Sequence, residues 1–191
     1  MTYKGQEAKL TYSMAKLLPE DHEISVNYNN FLDKYGTQNI FVIAVEDTQL
    51  TNYLHLKEWK LLTEKIGEMT GVNQIWSFTN LPLLVKDSKE KKFRINNWLP
   101  EDLQSQDQLD SALELFSSQY FYKNLLNTRD NNITALLISL DDEIIRSSAR
   151  GGLIFPIKDI IDDYCKKFEA TPHYSGLPYI RTVDSAKVKS E

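Results

Sequence analysis

Two apolar runs, Ile40-Phe41-Val42-Ile43-Ala44-Val45 and Ile133-Thr134-Ala135-Leu136-Leu137-Ile138-Ser139-Leu140, constrain this chain more than any other feature. The first is apolar at successive positions, so a strand built from it needs cover on both faces. The second comes after Asp130-Asn131-Asn132, a turn-forming triplet that opens a strand. Neither run approaches the ~20 residues that cross a bilayer. Both therefore read as central strands of a sheet, and the segment downstream of each decides the topology.

After the first run, Leu56, Trp59, Leu62, Ile66 and Met69 recur at helical spacing between Thr51 and Met69, with Gly71 as the stop. Val72 to Phe78 then reads as a second strand. After the second run, Ile154, Ile157, Ile161, Tyr164 and Phe168 keep the same rhythm past Gly151-Gly152, with Pro156 tolerable in a first helical turn. A last strand is expected around His173 to Ile180. Upstream, Leu17-Leu18-Pro19-Glu20-Asp21 reads as a turn, and Ile24, Tyr28, Phe31, Leu32 and Tyr35 mark a short amphipathic helix that ends at Gly36.

Between the two β-α-β units lies a stretch rich in Lys, Asp, Gln and Pro, expected to be a loosely packed excursion carrying Phe93, Ile95, Trp98 and Leu99 as isolated apolar residues. Leu109, Leu113, Phe116 and Tyr120 give it one amphipathic helix whose register continues toward Leu125. The expected organisation is a polar segment at 1–16, a domain at 17–183 and a polar segment at 184–191. Inside the domain, a β-α-β unit at 38–79 and another at 131–181 flank the insertion at 80–128. That order predicts an α+β fold, a ferredoxin-like split β-α-β with an inserted helical segment. A doubly wound sheet ranks second, because the strand ends carry Glu46-Asp47 and Asp141-Asp142-Glu143 where a ligand crevice favours Gly-rich turns.

Composition narrows the function. With 41% hydrophobic residues and few Gly and Pro, the 191-residue chain has enough apolar material for a core and is not low-complexity. A net charge of −5 argues against a nucleic-acid partner, whose footprint is a basic face. Lys86, Lys89, Lys91, Lys92 and Arg94, interleaved with Phe93 and Trp98, form the one basic stretch; Asp87 and Glu90 dilute it, and a solvated loop is expected. The first residues show no signal-peptide pattern, so the chain is read either as cytoplasmic or as a piece of something longer.

A search for chemistry finds no constellation. His22, His55 and His173 lack the spacing of metal ligands, and the single Cys165 can form neither an internal disulfide nor a Cys-based zinc site. Cys165 is expected to be a small half-buried residue on a packing helix. Glu46-Asp47, Asp141-Asp142-Glu143 and Asp162-Asp163 are expected to be solvated charge, and Gly151-Gly152 after Arg150 a hinge or turn, since no phosphate-binding pattern surrounds it. Asn132-Ile133-Thr134 fits a glycosylation sequon by chance at the start of a strand. The expectation is no catalytic residue, no metal and no cofactor.

The two ends carry a resemblance. Leu17-Leu18-Pro19-Glu20-Asp21, the helix ending Phe31-Leu32-Asp33-Lys34-Tyr35-Gly36 and the strand Ile40–Val45 resemble the start of the first extracytoplasmic loop of RND-superfamily exporters of the MMPL-like type. A helix running to Phe168 and then His173-Tyr174-Ser175-Gly176-Leu177-Pro178-Tyr179-Ile180-Arg181 is similar to the segment that closes that loop. The similarity covers about residues 8–183 and carries no distinctive motif from 80 to 130; Tyr35-Gly36 stands where the family more often has Phe-Gly.

The resemblance implies a porter-type domain on the periplasmic side of a bacterial inner membrane. It would help move a hydrophobic, amphipathic or lipid-like substrate by conformational coupling to the proton gradient, without enzymatic activity. The family's proton-carrying residues lie in membrane helices and have no counterpart here, and Met1 reads as an added start residue. Expected partners are the transmembrane part of the same transporter, other protomers and periplasmic proteins. Trp59, Trp76 and Trp98 are the candidates for cleft or inter-subdomain positions, with core packing the stronger expectation for the first two. The competing readings are a soluble ligand-binding or sensory module of the same topology and a small enzyme of unfamiliar type.

Overall fold

The computed structural model describes Pro19 and residues 21–35, 39–87, 92–118, 126–128 and 132–190. The chain divides into two compact units, Met1–Gln38 and Asn39–Glu191. In the first, α1 (Glu23–Tyr35) is the expected amphipathic helix, with the exposed apolar side chains Ile24, Val26, Tyr28 and Phe31. The turn before it is closed by the His22 amide donating to the Pro19 carbonyl at 3.1 Å. The rest of the expected turn, Leu17, Leu18 and Glu20, lies outside the described residues, as does Gly36.

The second unit contains β1 (Ile40–Glu46), α2 (Tyr53–Gly67), β2 (Val72–Ser77), β3 (Pro82–Asp87), β4 (Lys92–Asn97), α3 (Gln106–Ser117), β5 (Ile133–Leu140), α4 (Asp142–Arg146), α5 (Gly151–Phe168), β6 (Thr171–Ser175) and α6 (Leu177–Ser190). Four strands form one antiparallel sheet in the order β2-β5-β1-β6. The architecture is α+β, a mixed arrangement of an antiparallel sheet with helices. β3 and β4 pair with each other as a separate ribbon.

Register explains the core. Phe41 pairs with Ile138, Ile43 with Leu136 and Val45 with Thr134, so all six side chains share one face and all are fully buried. Leu56, Trp59 and Ile66 of α2, with Ile154, Ile157 and Ile161 of α5, complete that layer at 0% exposure. Each such side chain contributes about 1.5–3 kcal/mol by leaving water. The other face of the sheet differs: Ile40, Val42, Ala44, Leu137 and Trp76 on it are only half-buried. The apolar run of β1 therefore has one fully buried and one partly covered face.

Several boundaries depart from expectation. β2 ends at Ser77, and Phe78 opens a 3-10 turn to Asn80 in which Ser77 and Asn80 cap each other reciprocally. The expected strand over 173–180 stops at Ser175. Gly176, at φ 102°, turns the chain into α6, whose second residue is Pro178. α6 runs on to Ser190, through most of the segment expected to be a polar tail. Gly151 and Gly152 lie in no hinge or turn; they are the first two residues of α5, entered from a 3-10 turn at Ser148–Arg150. Pro156 is the sixth residue of α5 and so lies beyond the first turn, where the missing amide costs on the order of 3 kcal/mol.

The insertion is better built than its composition suggests. Phe78, Trp98 and Phe116 form an aromatic cluster with ring centroids 4.7–5.3 Å apart, and the Trp98 indole donates to the Phe78 carbonyl at 2.6 Å. Leu99 and Leu109 are also buried, whereas Phe93 and Ile95 are exposed. Gln106 ties the insertion to α2, accepting from the Tyr53 amide at 2.8 Å and donating to the Thr51 carbonyl at 2.9 Å. The expected continuation of α3 toward Tyr120 and Leu125, and the residues Asp130 and Asn131, lie outside the described residues.

Candidate functional site

The densest buried polar arrangement joins β1, α2 and α5. Asp47, one residue past β1, is 3% exposed although the sequence suggested solvated charge. Its Oδ1 accepts from the Gln49 amide at 2.9 Å; its Oδ2 accepts from the Tyr164 hydroxyl at 2.6 Å and lies 2.7 Å from His55 Nδ1. Burial, and after it the bond to Asp47, pushes the Tyr164 phenol far above its ordinary range, so it stays a donor. Phe168 stands against the His55 ring at 4.1 Å between centroids, and Trp59 meets Tyr164 edge-on at 5.3 Å. Satisfied on every side, the cluster locks two helices onto the end of a strand.

Cys165, next along α5, is 4% exposed, more buried than expected, and burial pushes its thiol up to about 12. A protonated, enclosed thiol is a packing group. A second polar group lies under α2: Trp59 Nε1 donates to Ser77 Oγ at 2.9 Å, while Thr63 donates to the Trp59 carbonyl at 2.8 Å and Thr79 lies 3.1 Å from Ser77. A third sits on α5, where Lys158 pairs with Asp162 and the Tyr174 hydroxyl donates to Asp162 at 2.5 Å. Burial works to raise the Asp162 carboxyl, but the bonds from Lys158 and Tyr174 outweigh it and hold the group below the usual carboxylate range. The bond from Asp162 raises Lys158 in turn.

The other sequence candidates are dispersed. His22 accepts from the Ile24 amide at the start of α1, and His173 faces Glu46 at 3.6 Å with both side chains about half exposed. Asp141 caps α4, while Asp142 accepts from Asn39 at 2.6 Å and pairs with Arg146. Asp163 is exposed beside Lys166. Arg150 donates to Ser185 of α6. Trp59 and Trp98 are buried, and Trp76 is half-buried on the open face of the sheet. Among the described residues, no three His, Cys, Asp or Glu side chains come together to hold a metal ion.

Among the described residues, α2 borders a concavity large enough for a small ligand. A groove of about 380 Å3 runs between α2 and the base of the insertion, lined by Lys60, Thr63, Glu64, Asn80, Asn97 and Glu101 among others. Its floor includes Ile75 and Leu99. The sequence pointed to neither this groove nor Tyr164. The polar lining comes from four separate segments, and Tyr164 reads as one more apolar beat of a helix.

The fold and these clusters define an α+β domain whose buried polar groups hold elements together and whose open features are a groove and an exposed ribbon. No protein-family model matches the chain, and no curated protein is similar to it.

Proposed function

We propose that this chain is the extracytoplasmic, periplasmic-side domain of a proton-driven RND-type exporter of the MMPL-like kind, with no enzymatic activity of its own. The observation that carries the reading is the path of the chain through its sheet. β1 begins and β6 ends at the same end, with Val42 paired to Ser175 and Gly176 so close to Ile40 that an added Cβ would lie 2.3 Å from the Ile40 carbonyl oxygen. A domain suspended between two membrane helices needs its incoming and outgoing strands side by side. The sheet order supports the finer fold assignment as well. Taken along the four strands of the large sheet, first to fourth in chain order, it reads 4-1-3-2 with α2 and α5 as the two crossovers, the arrangement of a ferredoxin-like split β-α-β. The resemblance of Leu17–Val45, and of the helix running to Phe168 with His173–Arg181, to the opening and closing of the exporter loop agrees with both.

In this reading the domain works by tilting as a rigid layer while the membrane part, in the inner membrane of a bacterium, cycles through its proton-coupled states. A hydrophobic or amphipathic substrate is the cargo, and the transmembrane helices of the same transporter are the obligatory partner. Sequencing the coding region on either side of this segment tests the proposal. Apolar stretches of about 20 residues are expected before and after it. A reading frame that starts and stops with this chain overturns the assignment.

The groove along α2 favours one alternative, a soluble ligand-binding or sensory module. That reading requires a small molecule to saturate the groove, with binding lost in Asn97→Trp, and the same flanking sequence separates it from the exporter.

A further inference from the structure

The exposed ribbon formed by β3 and β4 has chemistry unlike the rest of the chain. Residues 82–97 carry five basic and two acidic side chains, net +3, while the whole chain is −5, so the remaining residues carry −8. All six residues of β4 are exposed. Leu84 pairs with Ile95 and Lys86 with Phe93, which puts Leu84, Phe93 and Ile95 on one face of the ribbon at 51%, 66% and 73% exposure. Lys92 and Arg94 occupy the opposite face. Leu83, facing that side at the base, is buried and anchors the ribbon. Among the described residues β4 pairs with β3 alone, and the edge of such a ribbon offers backbone donors and acceptors to an added strand.

The geometry points to β4 as a docking edge for an extended segment of a partner protein that alternates apolar and acidic side chains. Added beside β4, such a strand would lay its apolar residues against Phe93 and Ile95 and a carboxylate against Lys92, while its backbone completes the ladder. A second copy of this chain fits poorly. An antiparallel β4–β4 pair either crowds Lys92 and Arg94 of both strands on one face or sets those cations against the other strand's Phe93 and Ile95. A lipid surface supplies anionic charge and apolar contact but no backbone groups for the edge.

Fluorescence anisotropy of the full chain with a short labelled peptide of alternating Val and Glu tests this. The peptide should bind about tenfold or more tightly than its Val/Lys counterpart. N-methylation of alternate backbone amides along one edge should abolish binding, and Ile95→Glu and Lys92→Glu should each weaken it about tenfold. Both side chains are exposed, so the melting temperature should stay unchanged and separate lost docking from lost folding. Equal binding of the Glu and Lys peptides, or indifference to N-methylation, overturns the proposal. So does an Ile95-dependent dimer in sedimentation, or co-sedimentation with phosphatidylglycerol vesicles in the absence of peptide binding.

Discussion

Replacing Asp47 with Ala removes the carboxylate that three groups share. The Gln49 amide sits on an exposed turn and finds water at little cost. Tyr164 and His55 do not: Tyr164 is 5% exposed and the His55 side chain 12% exposed, with Phe168 over its ring. Leaving a buried polar group unsatisfied costs about 1–3 kcal/mol, so two of them give a loss of about 2–6 kcal/mol. Tyr164→Phe deletes a single bond to the carboxylate and should cost about 1.5–3 kcal/mol, or about 3–12 °C in melting temperature for a chain of this size. The double variant should lose less than the sum by about 1–2 kcal/mol, because both single changes break the same Tyr164–Asp47 bond. Urea titration monitored by tryptophan fluorescence reads this directly, since Trp59 packs edge-on against Tyr164. A loss under about 1 kcal/mol for Asp47→Ala, or strictly additive costs, would refute the claim that this carboxylate clamps the two helices to the strand.

The geometry carries three further expected outcomes. Gly176→Ala should destabilise by at least about 2 kcal/mol, because φ is 102° and the new Cβ meets the Ile40 carbonyl at 2.3 Å, whereas Gly152→Ala, in a helix with nothing within 4 Å, should stabilise by about 0.5–1 kcal/mol; thermal melts of the two variants give opposite signs. Cys165 should react with a thiol reagent only as fast as the protein opens, since its thiol is buried and its pKa is about 12; rapid stoichiometric labelling under native conditions contradicts that environment. Asp162 is depressed below its ordinary 3.8, so its contribution is complete above that value and fades as pH falls through the lower folded value. Chemical denaturation between pH 5 and the acid limit should therefore show a loss of stability that Asp162→Asn lacks, and identical slopes for the two proteins would exclude the mechanism.

The main strands and helices were legible because each is a local pattern. The β-branched runs of β1 and β5 and the three-and-four spacing of α2 and α5 write their periodicity into the chain. The β3–β4 ribbon was not legible. Leu83, Leu84 and Val85 show no alternation, and five cations conceal the strand after them. The fate of residues 176–190 was equally hidden, since Gly176-Leu177-Pro178 suits the end of a strand and the start of a helix alike, and only the close approach to Ile40 selects the turn.

By itself, the sequence determined that the chain is an α+β protein, because hydrophobic periodicity depends on neighbours a few residues apart. Tertiary structure alone decided that Asp47 is buried between His55 and Tyr164, that Trp98 closes an aromatic cluster with Phe78 and Phe116, and that β4, among the described residues, pairs with β3 alone. Those outcomes join residues as much as 117 positions apart, and a carboxylate, an indole or a strand edge carries no local mark of the partner that will satisfy it.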